Sequence, residues 1–218
     1  LIHGADGQKL SKRHGALGID AYQDVGYLPA ALRNYLLRLG WSHGDDEIIS
    51  TAQAVEWFDL DAVGKSPSRI DFAKLESVNQ HYLREADAVS LVDLLISRLE
   101  APDPDDRTIR SRLEAGLGSL TDRAKNLNEL ADMARFYVHA PTYPLENAKA
   151  AKLLDGDGTA RLTHFAESLQ PLDNWTEETL ETAARDFAAA QEIGLGKIAQ
   201  PLRAALTGSN ASPGIFEV

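Results

Sequence analysis

The chain has 218 residues, 44% of them hydrophobic and 25% charged, the balance of an ordinary globular protein with one large domain or two modest ones. A formal net charge of −11 argues against promiscuous affinity for nucleic acid, so any such contact needs a local basic face with the acids elsewhere. Cysteine is absent, which excludes disulfides and thiolate metal sites and fits a reducing cytoplasm.

In chain order, the first distinctive stretch runs from Gly4 to Gly15. Lys9, Leu10, Ser11, Lys12 and Arg13 place three cations and a hydroxyl between glycines. Lysine on such a loop acts as a flexible point charge suited to a triphosphate. Leu17 to Ala21 is too short to classify and leaves a brief strand open. Pro29 opens a helix, since its missing N–H would be unpaired in the first turn anyway. Leu32, Tyr35, Leu36 and Leu39 follow at helical spacing and Gly40 stops it, with Arg33, Asn34 and Arg38 on other faces. Ser42 to Glu47 reads as a polar, acidic loop. Ser50 and Gln53 form a capping-box pattern for a short helix through Phe58. Gly64 to Ser68 is a loop, and Asp71 caps a helix with Phe72, Leu75, Val78 and Tyr82 on its apolar side.

The remainder reads as helical. Val92, Leu95, Ile96 and Leu99 mark one helix, broken by Ala101-Pro102-Asp103-Pro104. Ile109, Leu113 and Leu117 mark the next, expected to fade at Gly116 and Gly118. Asn126 and Glu129 form a capping box ahead of the stripe Leu127, Leu130, Ala131, Ala134 and Val138. A helix with Leu162, Phe165, Ala166 and Leu169 follows the turn at Gly156–Gly158. Thr176 precedes a helix whose first turn carries Glu177 and Glu178, favourable to its dipole. Leu180, Ala184, Phe187 and Ala188 give it a buried side. The last helix runs near Lys197 to Leu206, before a turn region from Gly208 to Gly214. No apolar run reaches membrane-span length and no signal-peptide pattern opens the chain, so a membrane is not an expected partner. Histidines lie apart without metal-ligand spacing, and Asp45-Asp46 and Asp105-Asp106 read as solvated loop acids rather than magnesium ligands. His14 is left open between phosphate and water.

Leu1-Ile2-His3-Gly4 leading into Lys9-Leu10-Ser11-Lys12-Arg13-His14-Gly15-Ala16 resembles the KMSKS loop of bacterial glutamate–tRNA ligases, which are class I aminoacyl-tRNA synthetases. Gly26-Tyr27-Leu28-Pro29, Leu39-Gly40-Trp41-Ser42, Gly44-Asp45-Asp46-Glu47, Lys65-Ser66-Pro67, Lys74-Leu75 and His81-Tyr82-Leu83-Arg84 continue the likeness in order. Gln200-Pro201-Leu202-Arg203 and Ser212-Pro213-Gly214-Ile215-Phe216 resemble that family's anticodon-binding region. Residues 86–190 match loosely.

The resemblance implies a mainly α fold. Residues 1–16 would be the loop ending a catalytic domain, 17–88 a stem-contact-like domain, and 89–218 an α-helical anticodon-binding domain, a helix cage or bundle. The family's nucleotide fold with its HIGH motif has no counterpart here, and the chain begins at Leu1. The expectation is therefore a C-terminal fragment from the loop onward, inactive alone. The intact enzyme would join glutamate to tRNA with ATP and Mg2+ through glutamyl-adenylate, in the cytoplasm. By resemblance Lys12 contacts ATP, Lys9 supports the loop's charge, and Arg13 stabilises the loop. Arg123 matches the arginine that reads the third anticodon base, with Lys125 its neighbouring competitor. Arg203 matches another anticodon contact, and Ser212, Pro213 and Ile215 a turn against the bases. The alternatives are a stand-alone tRNA-binding module and a helical interaction module without a ligase role.

Overall fold

The computed structural model of the chain describes residues 2–4, 7–9 and 18–218. They are mainly α-helical, and the chain separates into two compact units. The first joins Leu1–Glu100 with Leu120–Asp132, and the second joins Ala101–Ser119 with Met133–Val218. Among the described residues, no helix is long and apolar enough to cross a membrane.

In the first unit, β1 (Ile2–His3) pairs in parallel with β2 (Ser68–Arg69), in the register Ile2 to Ser68 and His3 to Arg69. Neither dipeptide alternates long enough to be read as a strand from sequence, and the pairing partner is supplied by the fold. Helix α1 (Ile19–Val25) stands where a brief strand was left open. Gly26 ends α1 at φ 92°, and its N–H bonds the Gln23 carbonyl at 2.9 Å. Helix α2 (Pro29–Arg38) begins on its proline as expected. Helix α3 (Thr51–Trp57) carries the full reciprocal capping box between Ser50 and Gln53. A 3-10 turn at Leu60–Ala62 leads towards β2, and α4 (Phe72–Glu85) starts on the Asp71 cap. Helix α5 (Ala88–Arg98) follows.

Tyr22, Tyr27, Leu32, Tyr35, Ile70 and Leu75 form a core in this unit, with Ile2 and Leu39 packed against it. Each large apolar side chain so buried contributes roughly 1.5–3 kcal/mol before the entropy of ordering it is counted. Asn34, off the apolar stripe of α2, is nonetheless buried. It is 2% exposed because its amide donates to the Glu47 carbonyl at 2.9 Å and its oxygen accepts the Ile49 N–H at 2.5 Å. This side chain supplies partners to two backbone groups, at Glu47 and Ile49, in the stretch between α2 and α3.

Helix α6 (Arg107–Thr121) does not fade at its glycines. Gly116 sits mid-helix because a Cβ there would lie 2.2 Å from the Tyr137 hydroxyl. The glycine makes room for a ring, at the helix-propensity cost that had suggested an end. Helix α7 (Leu127–Ala134) is followed by a 3-10 turn at Arg135–Tyr137. Helix α8 (Ala148–Leu154) was not visible in the sequence pattern, being short and without a long apolar stripe. The Asn147 side chain opens it by accepting from the N–H groups of Lys149 and Ala150. Helix α9 (Asp157–Leu169), α10 (Glu177–Ala190) and α11 (Gly196–Thr207) complete the second unit. Thr176 caps α10 through a capping box with Thr179. The core of this unit centres on Phe165, Ala184, Ala188 and Ile198, with Leu202 and Phe216 packed against it.

Candidate functional site

The candidate residues fall in three places. The first is the stem of the basic loop. Strand β1 leads into a tight turn in which the Gly4 N–H donates to the Gln8 carbonyl at 2.9 Å and the Gly7 N–H to the Gly4 carbonyl at 3.0 Å. Gly7 has φ 76°, a conformation that side chains with a Cβ rarely adopt. The His3 ring donates from Nδ1 to the Gly7 carbonyl at 2.7 Å. Lys9 forms an antiparallel bridge back to His3, and its side chain is exposed. A cation is therefore presented from a fixed backbone position, tied to β2 through Ile70, whose N–H reaches the His3 carbonyl at 2.9 Å. Ser11, Lys12, Arg13 and His14 lie outside the described residues.

The second place is the segment between α6 and α7, which carries Arg123. It is clasped by the C-terminal half of α4. Gln80 and Arg84 both donate to the Asp122 carbonyl, at 3.0 and 3.1 Å, and Arg84 pairs with the Asp122 carboxylate at 3.2 Å. Asn79 is 0% exposed and bridges two strands of backbone. Its oxygen accepts the Leu28 N–H at 2.8 Å and its amide donates to the Lys125 carbonyl at 2.6 Å. Gly26 completes the seat, accepting the Leu127 N–H at 2.9 Å. The Asn128 amide donates to the Asp24 carbonyl at 2.7 Å. Arg123 is thus an exposed side chain on an anchored backbone.

Lys125, its competitor, is exposed too but is held in an ion pair. Its ammonium pairs with Glu76 at 3.1 Å, and the hydrogen bond and charge of Glu76 raise its pKa above the usual lysine value. The capping box differs from the expected one in a detail: Asn126 caps the Glu129 N–H, but the Glu129 carboxylate accepts from Lys125 rather than from Asn126.

The third place lies in the second unit. Arg203 of α11 donates from Nε to the Ser212 hydroxyl at 2.8 Å and from Nη2 to the Pro213 carbonyl at 3.5 Å. The fold therefore brings Arg203, Ser212 and Pro213 together. Ser212 in turn donates to the Pro213 carbonyl at 2.9 Å. Pro213 and Ile215 are buried, so they hold the turn in place rather than present apolar surface. Arg123 and Arg203 belong to different units.

Sequence reading did not single out Asn79, Gln80 or Arg84 as the clasp. One signal was present: Asn79 sits four residues after Leu75 and four before Leu83, on the stripe that α4 buries. A polar residue on such a stripe needs specific partners.

Comparison with known proteins matches two family models. Residues 1–77 match the catalytic domain of the class I tRNA synthetases for glutamate and glutamine (E and Q), and residues 73–218 match an anticodon binding domain. Over its whole length the chain is 57% identical to glutamate–tRNA ligase 2 of Paramagnetospirillum magneticum and 56% identical to glutamate–tRNA ligase 1 of Sphingopyxis alaskensis, covering 46% and 45% of those proteins. The crystal structure of a glutamate–tRNA ligase from Elizabethkingia meningosepticum superimposes with a TM-score of 0.80 at 26% identity, over all of this chain and 46% of that one. The chain thus spans about half the length of these relatives. The expectation of a C-terminal fragment from the loop onward is cut back: the matches show a piece covering 46% of its relative, with catalytic-family sequence through residue 77.

Proposed function

The chain belongs to the anticodon binding domain family, and from that membership we propose that it is the tRNA-binding part of a glutamate–tRNA ligase. The observation that carries the reading is the end-to-end identity of 57% to such a ligase, with the catalytic and anticodon-binding matches in consecutive order. The intact enzyme would activate glutamate with ATP and Mg2+ as glutamyl-adenylate, then transfer it to tRNA in the cytoplasm.

In this reading the residues divide the work. Lys9 and Lys12 supply positive charge to the triphosphate, where preorganised cations stabilise charge that develops during phosphoryl displacement. ATP and Mg2+ would meet Lys12 together with groups beyond these 218 residues. Arg123 offers a planar fork to an anticodon base from the clasped segment. Arg203 has the same capacity, with Ser212 and Pro213 fixing its Nε side. The division into a loop at 1–16, a stem-contact-like domain at 17–88 and an anticodon-binding domain at 89–218 is part of this proposal.

The test uses the intact ligase. Wild type should charge glutamate tRNA with glutamate in the presence of ATP. Lys12→Ala should slow single-turnover adenylate formation by roughly 2.7–4 kcal/mol, the loss of one preorganised donor, with little change in tRNA affinity. An enzyme that charges a different amino acid would end the reading, and unchanged adenylate formation in the variant would remove Lys12 from it.

A further inference from the structure

A cavity of about 190 Å³ opens in the first unit between α2, β2 and α4. Arg38, Arg69 and Lys74 bring three cations to its wall, and Glu47 and Asp71 bring two carboxylates. The carboxylates are engaged. Glu47 pairs with Lys74, which holds its pKa below the usual carboxylate value with a smaller contribution from Arg38. Asp71 accepts the Lys74 N–H at 3.1 Å as the α4 cap, and its own N–H donates to the Tyr35 hydroxyl at 2.6 Å. The two guanidinium groups have no carboxylate within ion-pair distance among the described residues. In a chain of net charge −11, two arginines that line one cavity without a direct ion pair mark a local positive site. Arginine also presents the fork that matches phosphate oxygens.

We propose that this cavity seats one phosphodiester of the tRNA backbone, held between Arg38 and Arg69. The charge balance fits. With Lys74 and Glu47 cancelling and Asp71 offsetting one arginine, one positive charge remains for one phosphodiester. Arg69 pairs with His3 in the β1–β2 ladder, and its guanidinium lies 3.4 Å from where a Cβ on Gly7 would stand. The guanidinium therefore sits beside the turn that presents Lys9. The bound phosphate would therefore lie next to the stem of the basic loop. The proposal rests on the ligase reading and adds a backbone contact that positions the RNA without reading its sequence.

The experiment measures tRNA affinity of the intact ligase across a salt series, for wild type, Arg38→Gln, Arg69→Gln and the charge-keeping Arg38→Lys. Each Gln variant should bind about tenfold more weakly, the lower end for a charge-assisted hydrogen bond. Each should also reduce the slope of log affinity against log salt by about 0.9, one phosphate's worth of released counterion. Arg38→Lys should keep the wild-type slope. Affinity loss with an unchanged slope in the Gln variants means a structural role only and overturns the proposal, as does no loss at all. Reduced ATP affinity with unchanged tRNA binding assigns the cavity to a nucleotide phosphate and also overturns it. Wild-type enzyme that binds no tRNA overturns the ligase reading itself, and this inference with it.

Discussion

Replacing Asn79 tests how the Arg123 segment is held. The side chain is fully buried and joins two backbone groups that have no other partner among the described residues: the Leu28 N–H, at the start of α2, and the Lys125 carbonyl, ahead of α7. Leucine is close in volume and carries neither donor nor acceptor. Asn79→Leu therefore deletes both bonds and leaves a buried donor and a buried acceptor unsatisfied. Each such group costs about 1–3 kcal/mol, so the sum is about 2–6 kcal/mol, reduced by the extra apolar surface that leucine buries. A net loss of about 3 kcal/mol is expected. Asn79→Asp separates the two bonds. A carboxylate can still accept from Leu28 but meets the Lys125 carbonyl with like partial charge. Protonated, it can donate again, so this variant should gain stability as pH falls while wild type does not.

The assay is urea unfolding of the 218-residue chain combined with residue-resolved amide hydrogen exchange. Exchange should accelerate at Leu28 and through residues 120–127, while α9, α10 and α11 keep wild-type protection. If Asn79→Leu leaves the Leu28 amide as protected as before and the unfolding free energy within about 0.5 kcal/mol, the size of an ordinary surface change, the clasp does not hold the segment.

Three further outcomes are expected. Gly116→Ala should destabilise the second unit by about 1–3 kcal/mol through overpacking against Tyr137; Gly118→Ala, with open space around the new methyl, should be neutral or stabilising by up to about 1 kcal/mol, and thermal melts of the pair decide it. Tyr22, Tyr27, Tyr35, Tyr82 and Tyr137 all have pKa values raised chiefly by burial. The unfolded chain loses these phenol protons at about pH 10 while the folded chain retains them, so stability is full below about pH 10 and falls as pH rises beyond it. A pH series of urea midpoints that stayed level across that range would contradict this. Arg123→Gln in the intact ligase should narrow the kcat/KM ratio between C and G at the third anticodon position by about 1–3 kcal/mol. Lys125→Gln should leave the ratio unchanged because Glu76 already holds that ammonium, and the reverse pattern would move the reader by two residues.

What the sequence determined by itself was mostly local. The proline start of α2, the Ser50–Gln53 box and the Asp71 cap depend on residues within one helical turn, and each stands where its pattern placed it. The basic loop and the ordered motifs were likewise legible as strings, and they were enough to point to the family. Tertiary structure decided the rest, because the partners are far apart in the chain. Asn79 reaches residues 51 positions earlier and 46 later, so no window of periodicity connects them. The pairing of Ile2–His3 with Ser68–Arg69 has the same character, as does the demand for glycine at 116, which is set by a ring at 137. Arg203 was visible as a candidate, but its bond to Ser212 depends on the turn after α11 folding back. Capping and propensity are energies of neighbours, and sequence carries those directly. Satisfying a buried amide, or bringing two arginines to one cavity, requires the chain to have folded.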